Sequence, residues 1–292
     1  MTTRGARAVP LALGLAIASI SFAAIFFRLA SPTHPLVVAG TRLGIAGAVL
    51  AVPTLRALRA GRLPARVLRR ALLCGLLYAV HFGTWVTSLT MTSVASSVTL
   101  VTATPLLLAL LSFVTRRDHP TRRHWISIAL AIVGLSLIGW ADLSLSSEAL
   151  LGDALALTGA AAMAVYLLLV RQIGEGLDVL AFGGVATLVG SAALFAAALA
   201  LGVPIAYASA ESIGWIAMAA LVPQLVGHTL LTWSLRHATP TAVGIATVGE
   251  PVGATLLAWL WLHEPLGPLV GAGCAVTLVA VLFSVAPVSR AE

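Results

Sequence analysis

Charged residues are scarce in this 292-residue chain, which has no lysine and in which Asp, Glu and Arg together make up 9% of the sequence. Hydrophobic residues account for 60%, and the mean hydropathy is +1.04. A soluble globular domain carries about 25% charged residues, so this composition excludes one. Long polar connections, which a separate aqueous domain would require, are also lacking. The chain is predicted to be an integral membrane protein.

Cysteines and metal-binding or catalytic clusters are equally rare. Cys74 and Cys274 fall near opposite membrane faces, so we expect no disulfide between them. His263 and Glu264 precede a proline and lack the second histidine of an HExxH zinc site. Neither paired acids nor a Ser–His dyad stand near a segment end. The sequence predicts neither an enzyme nor a bound cofactor.

Apolar stretches of about 20 residues, enough to cross about 30 Å of hydrocarbon, recur along the whole chain. The period-two alternation of barrel strands is absent. The chain is therefore predicted to be an all-α membrane protein with ten transmembrane helices, the first of which is too long for a cleaved signal core. Their predicted bounds are Val9–Leu29, Leu36–Leu58, Ala71–Ser88, Ser93–Thr115, His124–Trp140, Leu150–Val170, Val179–Leu201, Ile213–Leu235, Thr239–Leu262 and Leu266–Val285.

Arginine predicts the orientation of these helices. With both termini inside, only Arg28 faces outward and Arg42 lies within a span, whereas the remaining arginines face the cytoplasm, as the positive-inside rule requires. The basic residues then lie along the inner leaflet of the lipid bilayer. The isoelectric point of 10.9 is thus a topology signal and does not indicate nucleic-acid binding.

The chain repeats with a shift of 146 residues, half its length. Thr104-Pro105 and Glu250-Pro251 are equivalent dipeptides, each near the middle of an apolar segment. Five spans per half is an odd number, so the second half enters the membrane from the opposite side. We therefore predict two inverted five-helix repeats, residues 1–146 and 147–292, which are typical of secondary transporters.

The chain resembles the EamA type of the drug/metabolite transporter superfamily over essentially its whole length. The resemblance lies in the ten short spans, in Arg42, and in the stretch TPTAVGIATVGEPVGATLLAWLWLHEPLGPLVGAGCAVTL, with its mid-helix Pro251 and with Glu264 at the turn. The first span, ASISFAAIFFRLA, departs from the family's frequent Trp-Gly signature. The resemblance implies a multi-pass protein of the bacterial inner membrane that exports amino acids or other small metabolites, aromatic amino acids among them.

One face of the third span carries three large rings. Tyr78, His81 and Trp85 are spaced i, i+3 and i+7, which places them within about 60° on a helix. They suit an amino-acid or aromatic substrate by stacking and hydrogen bonding. The alternative is that the rings only fill space between helices.

Other segments carry further candidates for substrate binding. Polar residues at membrane depth usually face the bundle interior, and a proline frees a backbone carbonyl that then needs a partner. Ordinary packing is the alternative for each of them. The candidates are Ser97, Thr104, Met163, Tyr166, Gln224 and His228, with Pro105 and Pro251 as helix breaks.

Glu250 is the twelfth residue of its predicted span, where an ionised carboxylate is costly. It is predicted to pair with a substrate amine or to couple protons; the alternative is a protonated carboxyl hydrogen-bonded to Thr104.

Arg42 lies about 10 Å into its helix from the outer end. We expect it to reach the membrane interface as an anchor.

A metabolite exporter that works by alternating access on a small-molecule substrate is the predicted function. A cationic-drug exporter is the alternative, although the first span lacks the acid that small multidrug pumps of the superfamily use, so Glu250 would have to replace it. A membrane-embedded enzyme lacks a reactive cluster. A channel is disfavoured by the inverted repeat, since channels favour symmetric rings of polar residues.

Overall fold

The computed structural model describes residues 3–92, 94–115, 120–139, 146–174, 176–263 and 266–285, and within these ranges it contains helices and short connections but no strand. The first half supplies α1 (Thr3–Ile20), α2 (Ala23–Leu29), α3 (Pro35–Val49), α4 (Ala51–Arg59), α5 (Ala65–Ser88), α6 (Val94–Val101), α7 (Thr104–Thr115) and α8 (Arg122–Gly139). The second half supplies α9 (Ser147–Arg171), α10 (Val179–Ala200), α11 (Ala210–Ala219), α12 (Thr229–Ser234), α13 (Pro240–Thr247), α14 (Gly249–Leu262) and α15 (Pro268–Val285), with a π-helical segment (Ala220–His228) between α11 and α12. The all-α prediction is confirmed.

Each predicted apolar segment coincides with one helix or with consecutive helices joined end to end. Among the described residues, six helical stretches are long and apolar enough to cross a membrane. A seventh is added if α3 and α4, which are bent by 55°, form one span. Ser96–Leu111 and Pro268–Ser284 are shorter apolar helices. The number of ten spans therefore stays a prediction.

The two predicted proline breaks occur at equivalent positions. The helix before Pro105 ends at Val101, and the helix before Pro251 ends at Thr247, a shift of half the 292-residue chain. Proline lacks the N–H that would bond four residues back, so the helix is interrupted there. Thr104 Oγ1 instead donates to the carbonyl of Val101 at 2.9 Å. The carbonyl that Pro105 frees thus has a side-chain partner.

Helices α8 and α15 occupy equivalent positions in the two halves, since their bounds differ by half the chain length at both ends. They pack against each other and run antiparallel. Arg123, at the start of α8, donates to the carbonyl of Phe283 near the end of α15. Ile138, near the end of α8, lies against Gly273 near the start of α15. Equivalent helices therefore point in opposite directions.

Helices α3 and α10 show the same relation. Gly40 faces the ring of Phe195, and Gly47, further along α3, faces Leu188, which comes earlier in α10. Ser191 Oγ also donates to the Gly40 carbonyl at 2.8 Å. Because glycine has no Cβ, it lets this second antiparallel pair of equivalent helices approach closely.

We expect Gly273→Ala to destabilise the protein by about 1–3 kcal/mol, as overpacking does. A Cβ there would lie 2.7 Å from the Gly134 carbonyl oxygen and 2.8 Å from Ile138 Cγ1. Gly271→Ala in the same helix meets nothing within 4 Å and is the matched control. It gains about 1 kcal/mol of helix propensity, so its melting temperature in detergent should equal or exceed that of the wild type. Equal responses of the two variants would contradict the close contact between α8 and α15.

Candidate functional site

A cavity of about 820 Å³ lies at the end of the bundle where α2 and α5 end. Its wall is mainly apolar and includes Phe27, Val98 and Ile138. The hydroxyl groups of Thr90 and Thr255 interrupt this apolar lining. Small-molecule sites typically occupy about 300–1,000 Å³ and combine such walls with a few polar groups. This large cavity can therefore admit a metabolite.

A central chamber of about 40 Å³ lies deeper, next to the large cavity. On α5, Trp85 lines the chamber and the adjacent Val86 lines the cavity. On α14, Glu250 lines the chamber and Pro251 the cavity. Six of the residues predicted to bind substrate line this chamber, namely His81, Trp85, Thr104, Met163, His228 and Glu250. Residues that were selected by helical phase and polarity on five separate segments thus line one chamber.

Two of the three rings on the predicted third span form one side of the chamber. Trp85 and His81 are stacked, with ring centroids 5.8 Å apart and planes inclined by 29°. His81 Nδ1 lies 2.9 Å from the carbonyl oxygen of Gly159. A carbonyl can only accept, so Nδ1 carries a hydrogen, and a neutral ring keeps Nε2 as an acceptor. The edge of the Trp85 ring meets Phe27, which lines the large cavity.

The third ring, Tyr78, belongs to a hydrogen-bonded layer next to the chamber. Tyr78 donates to Tyr166 Oη at 2.9 Å, and Tyr166 Oη lies 2.9 Å from Thr232 Oγ1. The two tyrosine rings are stacked with centroids 4.5 Å apart. We call these three residues the tyrosine layer. A space of about 10 Å³ on this layer is also lined by Gln224 and His228.

The segment that carries Gln224 and His228 is π-helical, which the sequence analysis did not predict. Pro223 lies within it and has no N–H to donate, so the regular α-helical bonding is interrupted there. Such segments inside α-helices occur frequently at functional sites. His228 ends the segment and borders both the central chamber and the small space on the tyrosine layer.

Glu250 and Thr104 both line the chamber but are not bonded to each other. The Thr104 hydroxyl is oriented toward the carbonyls of Val101 and Ala160, at 2.9 and 3.4 Å. Within the described ranges no hydrogen bond reaches the Glu250 carboxyl, whose residue is partly exposed to the chamber. The structure thus lacks the helix-to-helix bond that was the alternative to a functional Glu250.

Arg42 does not reach the membrane interface, so the prediction that it serves as an anchor is wrong. Its side chain is 0% exposed and lies between two rings, with the guanidinium carbon 4.2 Å from the Phe82 centroid and 5.2 Å from that of Phe27. Arg42 lies one turn after Val38, which lines the large cavity, so both residues lie on the same face of α3. The anchor prediction rested on the depth of Arg42 along its helix and not on the face of the helix that carries it.

The remaining predicted residues lie at the margins of the site. Ser97 is bonded to Ser88 Oγ and lines neither the large cavity nor the chamber. Pro105 packs against Gly244, and Pro251 lines the large cavity. Across the described part of the chain, no group of three or more His, Cys, Asp or Glu residues could hold a metal ion. The turn residue Glu264 lies outside the described residues.

Comparison with known proteins gives one family and one fold. A family model described as the EamA-like transporter family matches residues 7–140 and, separately, residues 150–286. No curated protein matches the sequence. A solved structure described only as "Crystal structure of protein" superposes with a TM-score of 0.78 over 95% of this chain and 96% of that chain, at 16% identity. At that identity the likeness shows the fold alone.

The tyrosine layer predicts that two Tyr→Phe changes have unequal effects on stability. Tyr166→Phe should lower stability by about 1–3 kcal/mol, because it leaves Tyr78 and Thr232 without their buried partner. Tyr207→Phe is the control, since the Tyr207 bond to Thr41 is exposed and its loss should change stability by less than about 0.5 kcal/mol. Thermal unfolding in detergent measures both. Equal melting temperatures would show that the layer contributes nothing to stability.

Proposed function

The chain belongs to the EamA-like transporter family, and we propose that it exports amino acids across the bacterial inner membrane as a secondary transporter. Family membership identifies a multi-pass membrane transporter of small compounds. The proposal goes further because one chamber combines the Glu250 carboxyl, the His81 imidazole and the Trp85 indole beside a metabolite-sized cavity. That juxtaposition is the observation that carries it.

The chemistry of the chamber suits a zwitterion with an apolar or aromatic side chain. The carboxyl of Glu250 can pair with an ammonium group, and the stacked His81 and Trp85 rings offer an aromatic surface. Thr90 and Thr255 add hydroxyl groups to the apolar wall of the large cavity. A few polar groups in a mainly apolar wall orient a small ligand and select it.

Alternating access is the proposed mechanism, and two features support it. Equivalent helices of the two halves run antiparallel, which suits repeats that are inverted in the membrane. The bundle end opposite the large cavity is held together across the halves. There Arg62 Nη1 contacts Asp178 Oδ2 at 2.7 Å, and Arg70 Nη2 donates to Gln172 Oε1 at 3.0 Å. A large cavity at one end and polar contacts between the halves at the other are what alternating access requires of a single state.

The proposed orientation places both termini and most arginines in the cytoplasm. In this orientation Arg28 faces outward. Because Arg28 lines the large cavity, the cavity then faces outward as well. The contacts of Arg62 and Arg70 then close the cytoplasmic end. In this proposed orientation the large cavity opens to the outside, where an exported substrate leaves.

Export of cationic compounds is the second candidate. The Glu250 carboxyl has no hydrogen-bond partner in the described chain and borders the chamber, so a permanent cation could occupy the same place. Membership in a transporter family argues against a membrane-embedded enzyme. A substrate panel that contains both amino acids and quaternary ammonium compounds separates the two transport candidates.

Cysteine labelling in intact cells tests the orientation. In a background with both native cysteines, Cys74 and Cys274, replaced by alanine, Ser146→Cys should react with an impermeant maleimide, because Ser146 is exposed at the outer start of α9. Ala60→Cys, exposed between α4 and α5, should react only after the membrane is permeabilised. The reverse pattern, or equal labelling of both sites, would contradict the proposed orientation.

Counterflow of labelled amino acids in proteoliposomes tests the function. We expect wild-type exchange to exceed that of protein-free vesicles, and Glu250→Gln to slow it about tenfold or more, as loss of a charged partner implies. If Glu250 also couples protons, the wild-type rate should change between about pH 5.5 and 8.5 and the Gln variant should lose that change.

Glu148→Gln is the matched control, because Glu148 is exposed in the first turn of α9, away from the chamber. It should behave as the wild type at every pH. Exchange of quaternary ammonium compounds without any exchange of amino acids would replace the proposed function by the second candidate. Wild-type behaviour of Glu250→Gln would remove Glu250 from the mechanism.

A further inference from the structure

A buried cation without a hydrogen-bond partner stands beside the site. The Nε, Nη1 and Nη2 atoms of Arg42 are all inaccessible, and none of them has a partner in the described chain. The whole residue is 0% exposed. A guanidinium at membrane depth is costly unless it is paired or meets water. An ionisable residue at membrane depth without a partner therefore marks a candidate binding site.

Two aromatic rings fix the guanidinium without satisfying its donors. The Phe82 and Phe27 centroids lie 4.2 and 5.2 Å from the guanidinium carbon of Arg42. A ring attracts the cation through its face but takes up none of the in-plane N–H groups, which form a fork suited to a carboxylate. Phe27 also lines the large cavity, so this one ring contacts both the cavity and Arg42.

A second unpartnered donor lies in the same neighbourhood. Trp85 is 3% exposed, and its indole Nε1 has no partner in the described chain. The Trp85 ring contacts the same two phenylalanines as Arg42, with centroids 5.6 Å from Phe27 and 6.3 Å from Phe82. Trp85 lines the chamber directly. Two buried donors without a partner thus contact the same two rings, one of which lines the large cavity.

The opposite charge lines the same chamber as Trp85. Glu250 borders that chamber, and no nitrogen of Arg42 is hydrogen-bonded in the described chain. Each group therefore keeps the capacity to bind a charged partner of its own. One cation and one carboxyl suit a ligand that carries one charge of each sign and is neutral overall, because such a ligand leaves the site electrically balanced.

We infer that Arg42, together with the indole N–H of Trp85, binds the carboxylate of a zwitterionic substrate whose ammonium group pairs with Glu250. The inference rests on the proposed function and assigns the carboxylate of its amino-acid substrate to Arg42 and Trp85. Movement of the Phe27 side chain opens the path from the large cavity to the guanidinium. Substrate binding then supplies the partner that Arg42 lacks in the empty protein.

Three probes with the same ring test the inference in proteoliposomes: L-phenylalanine, 2-phenylethylamine and 3-phenylpropionate. Each is measured as an inhibitor of amino-acid counterflow. In the wild type, phenylalanine should inhibit at least about tenfold more strongly than the amine or the acid, because a site built for a polar group rejects analogues that lack it. Arg42→Gln should abolish the advantage over the amine and leave the affinity for the amine unchanged. Glu250→Gln should abolish the advantage over the acid instead.

Arg56→Gln is the matched control, since Arg56 belongs to the same predicted span but is exposed in α4, away from the large cavity and the chamber. It should keep both preferences. Arg42→Lys keeps the charge without the planar fork and should retain part of the preference for the carboxylate. If the Arg42→Gln variant keeps the full preference for phenylalanine over the amine, the inference is overturned. If the wild type recognises no amino acid, the proposed function itself is overturned.

The melting temperature without substrate separates binding from a structural role. Arg42→Gln should melt no lower than the wild type, because it removes an unpartnered buried charge, and phenylalanine should raise its melting temperature less than that of the wild type. If the contacts with Phe27 and Phe82 were only structural, the variant would melt markedly lower and respond to phenylalanine like the wild type. That result would overturn the inference even where transport is lost.

Discussion

Hydrocarbon offers no hydrogen bonds, so polar groups at membrane depth must find partners inside the protein or border a polar space. Most of this structure obeys the constraint locally: Thr104 serves the carbonyl that Pro105 frees, and Tyr166 links Tyr78 to Thr232. Several buried polar groups have no partner in the described chain, and among them the guanidinium of Arg42 and the indole of Trp85 contact the same two rings, Phe27 and Phe82. A buried cation without a partner marks a candidate functional site.

The two halves share a backbone plan but differ in chemistry. The breaks before Pro105 and Pro251 are equivalent, yet the residue at the break is Thr104 in one half and Glu250 in the other. The equivalent of Arg42 is likewise uncharged: it is Leu188, which is 42% exposed on the outside of the bundle. Repetition thus explains how the helices are arranged around the cavity. Departures from repetition explain why a substrate would bind there in one orientation.

Much of the fold could be predicted from the sequence because hydropathy and helical phase act locally. Phase placed His81 and Trp85 on one face, and both line the chamber. Depth along a helix was less informative: Arg42 lies near enough to the interface to suggest an anchor, yet Phe27 and Phe82 enclose it. Those contacts join three different helices, and the bond of Tyr78 to Tyr166 joins the two halves of the chain. No periodicity within one segment encodes such pairings, nor the π-helical geometry around Pro223.

The separation of Arg42 from Glu250 is the feature that ties stability to function. A direct bond between them would neutralise both charges and would stabilise the empty protein, as a well-formed buried pair needs no further partner. It would also leave neither group available to a substrate. Phe27 and Phe82 contact the guanidinium by cation–π interactions, which offset part of the cost of burial, while its N–H groups have no hydrogen-bond partner in the described chain. On the proposed roles of Arg42 and Glu250, a zwitterion supplies a partner to each group. An amine or an acid alone supplies a partner to only one of them, so the proposal favours the zwitterion.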